Sequence, residues 1–426
     1  MTTDVLLIPN FGAEEGAGWG APAYRPADES PTGKKPDGAI VQRTAARLWQ
    51  SLFASGSRCL GESGTAADAF WPKDFGIRNP QAIFSWLEAP DDAFAWLNTP
   101  AALHFARESG RRLLGASPDV VREVHDKAFA HRAAVAERLL PAGLETCIAV
   151  LEPEVLLEPS RAIREIEEKI ACWPAWTAGR FTLKPRFGTS GRGRVSGSAG
   201  RVAEARGGFA RLAESGGAML EPWLKRTCDL SAQFWIGADR ELLLLGTTEL
   251  LVENSGLYRG HRGFVDSKGR VTSGSPYDET LREAAAAVAK AAIASGYQGP
   301  CGVDAFAFEV EPGRVELRAI VEFNARFTLG IVAIGLLRRA LPRIRQELSL
   351  DPGGLRAFEF RLDAPPGGWP EPADAQGELL IPLSDENLAA AERIEPGLLL
   401  AEDRAALDRV LAIARATDTA FSDQLH

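Results

Sequence analysis

The chain has 426 residues, 45% of them hydrophobic and 25% charged, with a formal net charge of -9. That length suits roughly two to four domains with buried cores, and the acidic, unclustered balance excludes the basic stripe a nucleic-acid binder needs. No apolar run approaches the roughly 20 residues that cross a bilayer, the five scattered cysteines form no CxxC, and the five histidines lack zinc spacing. A soluble cytoplasmic protein with free thiols and no nucleic-acid or membrane partner is expected.

The opening MTTDVLLIPNFG carries Asp4 and no basic n-region, so it reads as a buried first strand rather than a signal peptide. A glycine-rich loop follows (Gly12, Gly16, Gly18, Gly20) without a GxGxxG fingerprint. Apolar spacing predicts helices over 42–54 and 101–114. Half of the ten tryptophans (Trp19, Trp49, Trp71, Trp86, Trp96) precede residue 100, and buried core aromatics are the favoured reading over a ligand-pocket floor. From Ser117, a plausible N-cap, a helical pattern runs until Pro141 stops it, and the next helix spans about 160–172. Strands are predicted over 180–184 and 217–220, with a hairpin over 231–247. A long alanine-rich helix over about 278–295 ends at Gly296, and a second hairpin covers 302–328. The tail holds one clear helix, 403–416, and Pro/Gly-rich connections. The mixture predicts an α+β (mixed α/β) architecture.

Three segments carry chemistry. In Phe181-Thr-Leu-Lys184-Pro-Arg-Phe-Gly188-Thr-Ser190-Gly191-Arg-Gly193 a strand delivers a lysine, and glycines then free backbone N–H groups to approach phosphate oxygens. The lysine precedes the glycines, so this is not a Walker A loop, and a plain hairpin loop with a surface lysine is an equal reading. Glu221-Pro-Trp-Leu224, with Asp229 further on, is a linker whose backbone suits an adenine edge and whose carboxylate suits ribose hydroxyls; alone it reads better as an ordinary loop. In Gly302-Val-Asp304 and Val321-Glu322-Phe-Asn324-Ala-Arg326, Glu322, Asn324 and Arg326 share one strand face. A three-residue turn (Pro312, Gly313, Arg314) would set Asp304 across from Glu322, and a two-residue turn would set it across from Val321. The first register gathers two carboxylates and an amide, hard oxygen ligands suited to Mg²⁺; the competing reading is a solvent-facing polar stripe.

Together these segments resemble the ATP-grasp superfamily, more closely its biotin-carboxylase-like, carboxylate–amine ligase branch. GASPDVVREVHDK (115–127) resembles the helix that brings that branch's first nucleotide lysine, which maps onto Lys127. FTLKPRFGTSGRG resembles the second lysine and its glycine flap, EPWLKRTCD the adenine hinge with its ribose acid, and GVDAF with EFNAR the metal strands.

The resemblance implies an ATP-grasp fold of two α+β subdomains. A pre-grasp α/β domain would occupy 1–115, the grasp domain 116–345 with a flap at about 146–222, and a small C-terminal α/β appendage 346–426. It further implies ATP, with Lys127 and Lys184 on its phosphates beneath Gly188, Ser190, Gly191 and Gly193. Glu221 and Leu224 would meet adenine, and Asp229 the ribose. Asp304, Glu322 and Asn324 would hold Mg²⁺ (or Mn²⁺), and Arg326 and Lys184 would be catalytic. Such enzymes convert a small-molecule or peptide carboxylate into an acyl phosphate that an amine or other nucleophile attacks, releasing ADP and phosphate; a homodimer is compatible. A small-molecule kinase, or a nucleotide-binding regulatory protein without turnover, are the other readings. Two features depart from the family: Gly302 stands where small-amino-acid ligases often place an arginine, and no biotin-attachment Met-Lys-Met is present. Substrate contacts are expected from 253–263, where Tyr258, Arg259, His261 and Arg262 suit an anion or form a solvated loop.

Overall fold

Strand β1 (Leu6–Ile8) is buried along its whole length, as expected of a strand covered on both faces. The computed structural model describes residues 5–13, 37–54, 57–60, 66–68, 82–87, 91–188, 193–253, 256–365, 368–370, 377–384 and 394–422. Helix α1 (Asp37–Gln50) is followed by β2 (Arg58–Leu60), β3 (Ala66–Asp68), β4 (Asp92–Ala95), α2 (Pro100–Glu108) and β5 (Arg112–Leu113). These strands make one sheet in the order β3-β2-β1-β4-β5, with β1 central and parallel to both neighbours. Helix α2 stops at Glu108, short of the expected 114, because Leu113 pairs with Ala93 as a strand residue. Asn10 donates to Leu97 O at 2.7 Å and accepts from Leu97 N at 3.1 Å, locking the turn after β1 to the turn after β4. Trp49 and Trp96 sit in the aromatic core with Phe11, Phe53 and Phe327; Trp19 and Trp71 lie outside the described residues.

The helical stretch from Ser117 divides into α3 (Pro118–His125) and α4 (Lys127–Ala136). Ser117 caps α3. Asp126 breaks the run by leaving helical geometry and capping α4, accepting from Ala128 N at 2.9 Å. Its carboxylate also receives Arg186, which makes the break stable where a continuous apolar period would have run through. Beyond it come β6 (Ala149–Leu151), α5 (Pro153–Leu156), α6 (Pro159–Ala171), β7 (Arg180–Pro185), β8 (Val195–Ser198), α7 (Phe209–Glu214) and β9 (Ala218–Pro222). The four strands form an antiparallel sheet, β6-β9-β7-β8, over its own apolar cluster.

The largest sheet is built by β10 (Arg226–Ile236), β11 (Leu242–Val252), β12 (Tyr258–Asp266), β13 (Val271–Thr272), β14 (Gly299–Glu311) and β15 (Arg314–Asn324). Helices α8 (Asp278–Ala294) and α9 (Leu329–Glu347) pack on it. Apolar periodicity assigns nothing to 329–347, because seven consecutive residues from Ile331 to Leu337 are buried and no polar face punctuates them. Strands β16 (Leu355–Arg361), β17 (Leu379–Pro382) and β18 (Gly397–Ala401) extend the same sheet through β12–β16 pairing, and α10 (Arg404–Ser422) follows.

The β14–β15 hairpin sets the register on which the site depends. Its turn is two residues, Pro312 and Gly313, flanked by the pair Glu311↔Arg314, so the expected three-residue turn is corrected. Irregularities between Glu309 and Glu311 and between Asp304 and Phe306 shift the pairing, and Asp304 faces Glu322 while Gly302 faces Asn324. The register expected of the longer turn is therefore reached by bulges.

Candidate active site

A cleft of about 900 Å³ lies where the three sheets meet. Lys127 enters it from the first turn of α4, Lys184 from β7, Asp229 from β10, Asp304 from β14, and Glu322 and Asn324 from β15. Phe11, Gly12 and Trp96 close one end and Tyr258 and His261 another wall.

The two acids face each other across the hairpin. Asn324 Nδ2 donates to Asp304 Oδ2 at 3.1 Å and reaches Glu322 Oε1 at 3.5 Å. Lys127 Nζ lies 3.4 Å from Glu322 Oε2 and donates to the Gly188 carbonyl at 3.0 Å. Burial, then the neighbouring Glu322, push the Asp304 carboxyl up to about 7. Burial opposes ionisation of Glu322 too, but Lys127 and Lys184 outweigh it and hold that group below its ordinary range. One acid of the pair is thus anchored as carboxylate while its partner carries the like-charge penalty. Among the described residues no three His, Cys, Asp or Glu side chains gather, and the third polar side chain beside the two acids is the Asn324 amide.

Asp304 is held from behind. Ser231 Oγ donates to its Oδ1 at 2.7 Å, Gln233 Nε2 donates to Ser231 Oγ at 2.6 Å, and Thr328, which caps α9, donates to Gln233 Oε1. The chain ties the hairpin to the start of α9. Arg326 donates to Phe327 O at 2.9 Å and to Asn324 Oδ1 at 3.2 Å, with its guanidinium 5.7 Å from the Trp96 ring centre. His125 accepts from Ala325 N at 3.1 Å through Nδ1, and burial together with Arg326 and Lys127 keeps it neutral.

No family model matches the sequence, and no curated protein matches it. Solved structures do match. The fold is similar to N5-carboxyaminoimidazole ribonucleotide synthetase from Thermus thermophilus, at TM-score 0.50 and 16% identity over 96% of each chain. It is similar to the biotin carboxylase domain of Hydrogenobacter thermophilus 2-oxoglutarate carboxylase, solved with MgADP, ADP and bicarbonate (TM-score 0.52, 15% identity, 96% of this chain and 89% of that one). N5-carboxyaminoimidazole synthetase from Staphylococcus aureus aligns at TM-score 0.51 and 11% identity over 97% of each chain. The chain has the ATP-grasp fold. At these identities the likeness is one of fold.

Not every residue expected from the sequence lines the cleft. Lys127, Lys184, Gly188, Asp229, Asp304, Glu322, Asn324 and Arg326 do, and so do Tyr258, Arg259 and His261. Ser190 and Gly191 lie outside the described residues. Gly193, with φ +71°, stands beside the cleft rather than in its wall. Glu221 and Leu224 are buried behind the wall, with the Glu221 carboxylate committed to Lys184 at 2.6 Å and to Arg318. Asp229 is ion-paired with Arg226 at 2.6 Å. Arg262 turns away from the cleft to Glu359 and Asp408, so it is a strap between β12, β16 and α10. Arg259 pairs with Glu253 at the surface. His261 is buried against Thr248 at 2.8 Å, and burial lowers it to about 3. The Tyr258 hydroxyl is buried without a hydrogen-bond partner among the described residues. Sequence reasoning missed Arg194 (4.6 Å over the Trp223 ring), Gln233 and Arg318. The signal for Arg318 was a lone cation inside the apolar strand VELRAI; nothing in the sequence pointed to Gln233.

Proposed function

We propose that the protein is an ATP-dependent ligase that activates a carboxylate as an acyl phosphate for attack by an amine or another nucleophile. The observation that carries this reading is the convergence of two lysines, a facing pair of acids with an amide, and an arginine in one cleft of an ATP-grasp fold. Lys127 and Lys184 would hold the phosphates as point charges. Backbone groups of the Glu221–Leu224 segment would meet adenine, since the Glu221 side chain is already committed, and Asp229 would hold the ribose. Asp304 and Glu322 are hard oxygen donors suited to Mg²⁺, and Asn324, whose Nδ2 faces them here, would join them by turning its Oδ1 from Arg326; the raised Asp304 carboxyl marks adjacent buried charge that a divalent cation would offset. Charge neutralisation at the phosphates is the chemistry such an ion supplies. A carboxylate oxygen attacks the terminal phosphorus and ADP leaves; the nucleophile then attacks the acyl carbon and phosphate leaves. Positioning and charge stabilisation suffice without a nucleophilic side chain. Arg326, steadied by Asn324 and Trp96, faces the same cleft and would hold the acyl phosphate.

The kinase alternative differs in where the transferred phosphoryl group ends. The test is phosphate release in a screen of paired carboxylates and amines, followed by a heavy-oxygen label in the carboxylate. A ligase passes one labelled oxygen into inorganic phosphate and requires both substrates. Phosphate that stays on the product, or ADP formation indifferent to the amine, would sink the ligase reading.

A further inference from the structure

Glu221 closes a buried triad at the back of the cleft. Arg318 Nη1 donates to its Oε2 and Arg318 Nη2 to its Oε1, each at 2.9 Å, and Lys184 Nζ lies 2.6 Å from the same Oε2. The Arg318 and Glu221 side chains are only 2% and 3% exposed. Arg318 is fixed further by the Ile320 carbonyl at 3.2 Å and by the Phe306 ring, 5.6 Å from its guanidinium carbon. Two cations therefore share one anion. The neighbouring Lys127 and Arg226 each have an acid of their own, Glu322 and Asp229, so neither takes a share of Glu221. Of its members only Lys184 lines the cleft.

We infer that Arg318 is a positioning residue for nucleotide binding: by holding Glu221 with both carboxylate oxygens, it lets Lys184 turn from Glu221 to phosphate without leaving that carboxylate unpaired. The inference rests on the nucleotide reading proposed above. A buried Glu221–Lys184 pair alone would be neutral, and moving the lysine toward phosphate would strand a buried carboxylate, a costly state. With Arg318 in place, the lysine can leave and the carboxylate remains paired bidentately. Arg318 touches no nucleotide, yet nucleotide affinity depends on its charge.

The test is MgATP binding by calorimetry on the full chain, with thermal unfolding measured for each variant. Arg318→Met should weaken MgATP about tenfold. Arg318→Met/Glu221→Gln removes the carboxylate that would be left unpaired and should return affinity to within a few-fold of wild type. Lys184→Met should cost much less in the Arg318→Met background than in wild type, because the lysine there is already tied to Glu221. A purely structural Arg318 would make the double variant bind no better than the single one, and that result overturns the inference. If Arg318→Met does not fold, Arg318→Lys, which keeps the charge and loses the fork, should bind within a few-fold of wild type; about tenfold loss there, in a folded protein, also overturns it. Wild-type protein that fails to bind MgATP refutes the nucleotide reading instead, a separate and distinguishable result.

Discussion

Lys184 is the residue on which the proposed chemistry turns. Its removal should weaken ATP by about 1.5–3 kcal/mol, the range for a charge-assisted contact, and turnover should be lost. Unchanged affinity in Lys184→Ala, measured directly, would remove it from the site. Burial is the main influence on this ammonium, lowering it to about 8 from an ordinary 10.5 against the pull of Glu221. The protonated form needed for phosphate is therefore lost early, and kcat/KM for ATP should fall as pH rises through about 8. Lys184→Arg should move that limb upward. The effect on folding has the opposite sign: between about 8 and 10.5 the unfolded chain binds more protons, so this group adds stability as pH rises. Glu221 behaves differently. Burial alone would raise it, but Arg318 and Lys184 hold it below the ordinary carboxylate range. Its stabilising contribution is complete above the unfolded value near 4.5 and fades as pH falls toward the folded one.

Between elements, the junction of β10, β14 and α9 decides how Asp304 is aimed. The Thr328–Gln233–Ser231–Asp304 chain runs through space that two glycines leave open. A Cβ at Gly302 would stand 2.8 Å from Gln233 Oε1, and one at Gly330 2.5 Å from Gln233 Nε2. Gly330→Ala should therefore displace the Gln233 amide, destabilise the fold by about 1–3 kcal/mol through overpacking, and lower activity. Gln233→Ala in the Gly330→Ala background should recover part of the melting temperature by relieving the overlap. A Gly330→Ala protein with wild-type melting temperature would show that the amide has another place to go. The α3–α4 break is the second sensitive junction, because Asp126 both caps α4 beside Lys127 and accepts Arg186. Asp126→Ala loses the cap and leaves the Arg186 guanidinium with Glu152 as its remaining carboxylate, so a cost of about 1–3 kcal/mol is expected in denaturant unfolding.

Across the whole molecule, β16, β18 and β17 continue the central sheet instead of forming a detached unit, and Leu362 and Asp363 reach the cleft. Phe358 and Phe360 on β16 are fully buried. A chain ending at 347 would expose the β12 edge and the apolar surface those side chains cover. It should be insoluble or aggregate, as judged by yield and size-exclusion chromatography; a soluble, monomeric truncated chain that binds MgATP would show the extension to be dispensable. Among the described residues no helix is long and apolar enough to cross a membrane.

Local chemistry made much of this legible from the amino acids alone. Pro159 and Gly296 bracket helices, and alternation placed Glu322 and Asn324 on one face of a strand whose burial demanded polar partners. The order of the lysine, glycine, hinge and acid segments pointed to the ATP-grasp fold. Long-range packing decided the rest. The first half of helix α9 has too little polar surface to show a period, and the hairpin register was reached through bulges that no turn rule specifies. Arg262 faces Glu359 because β16 happens to pair with β12. The Arg318–Glu221–Lys184 triad joins strands from two sheets, 97 residues apart between Arg318 and Glu221. Spacing along a chain carries side-chain direction within one strand or helix; which charges meet across elements is fixed only when the sheets close on one another.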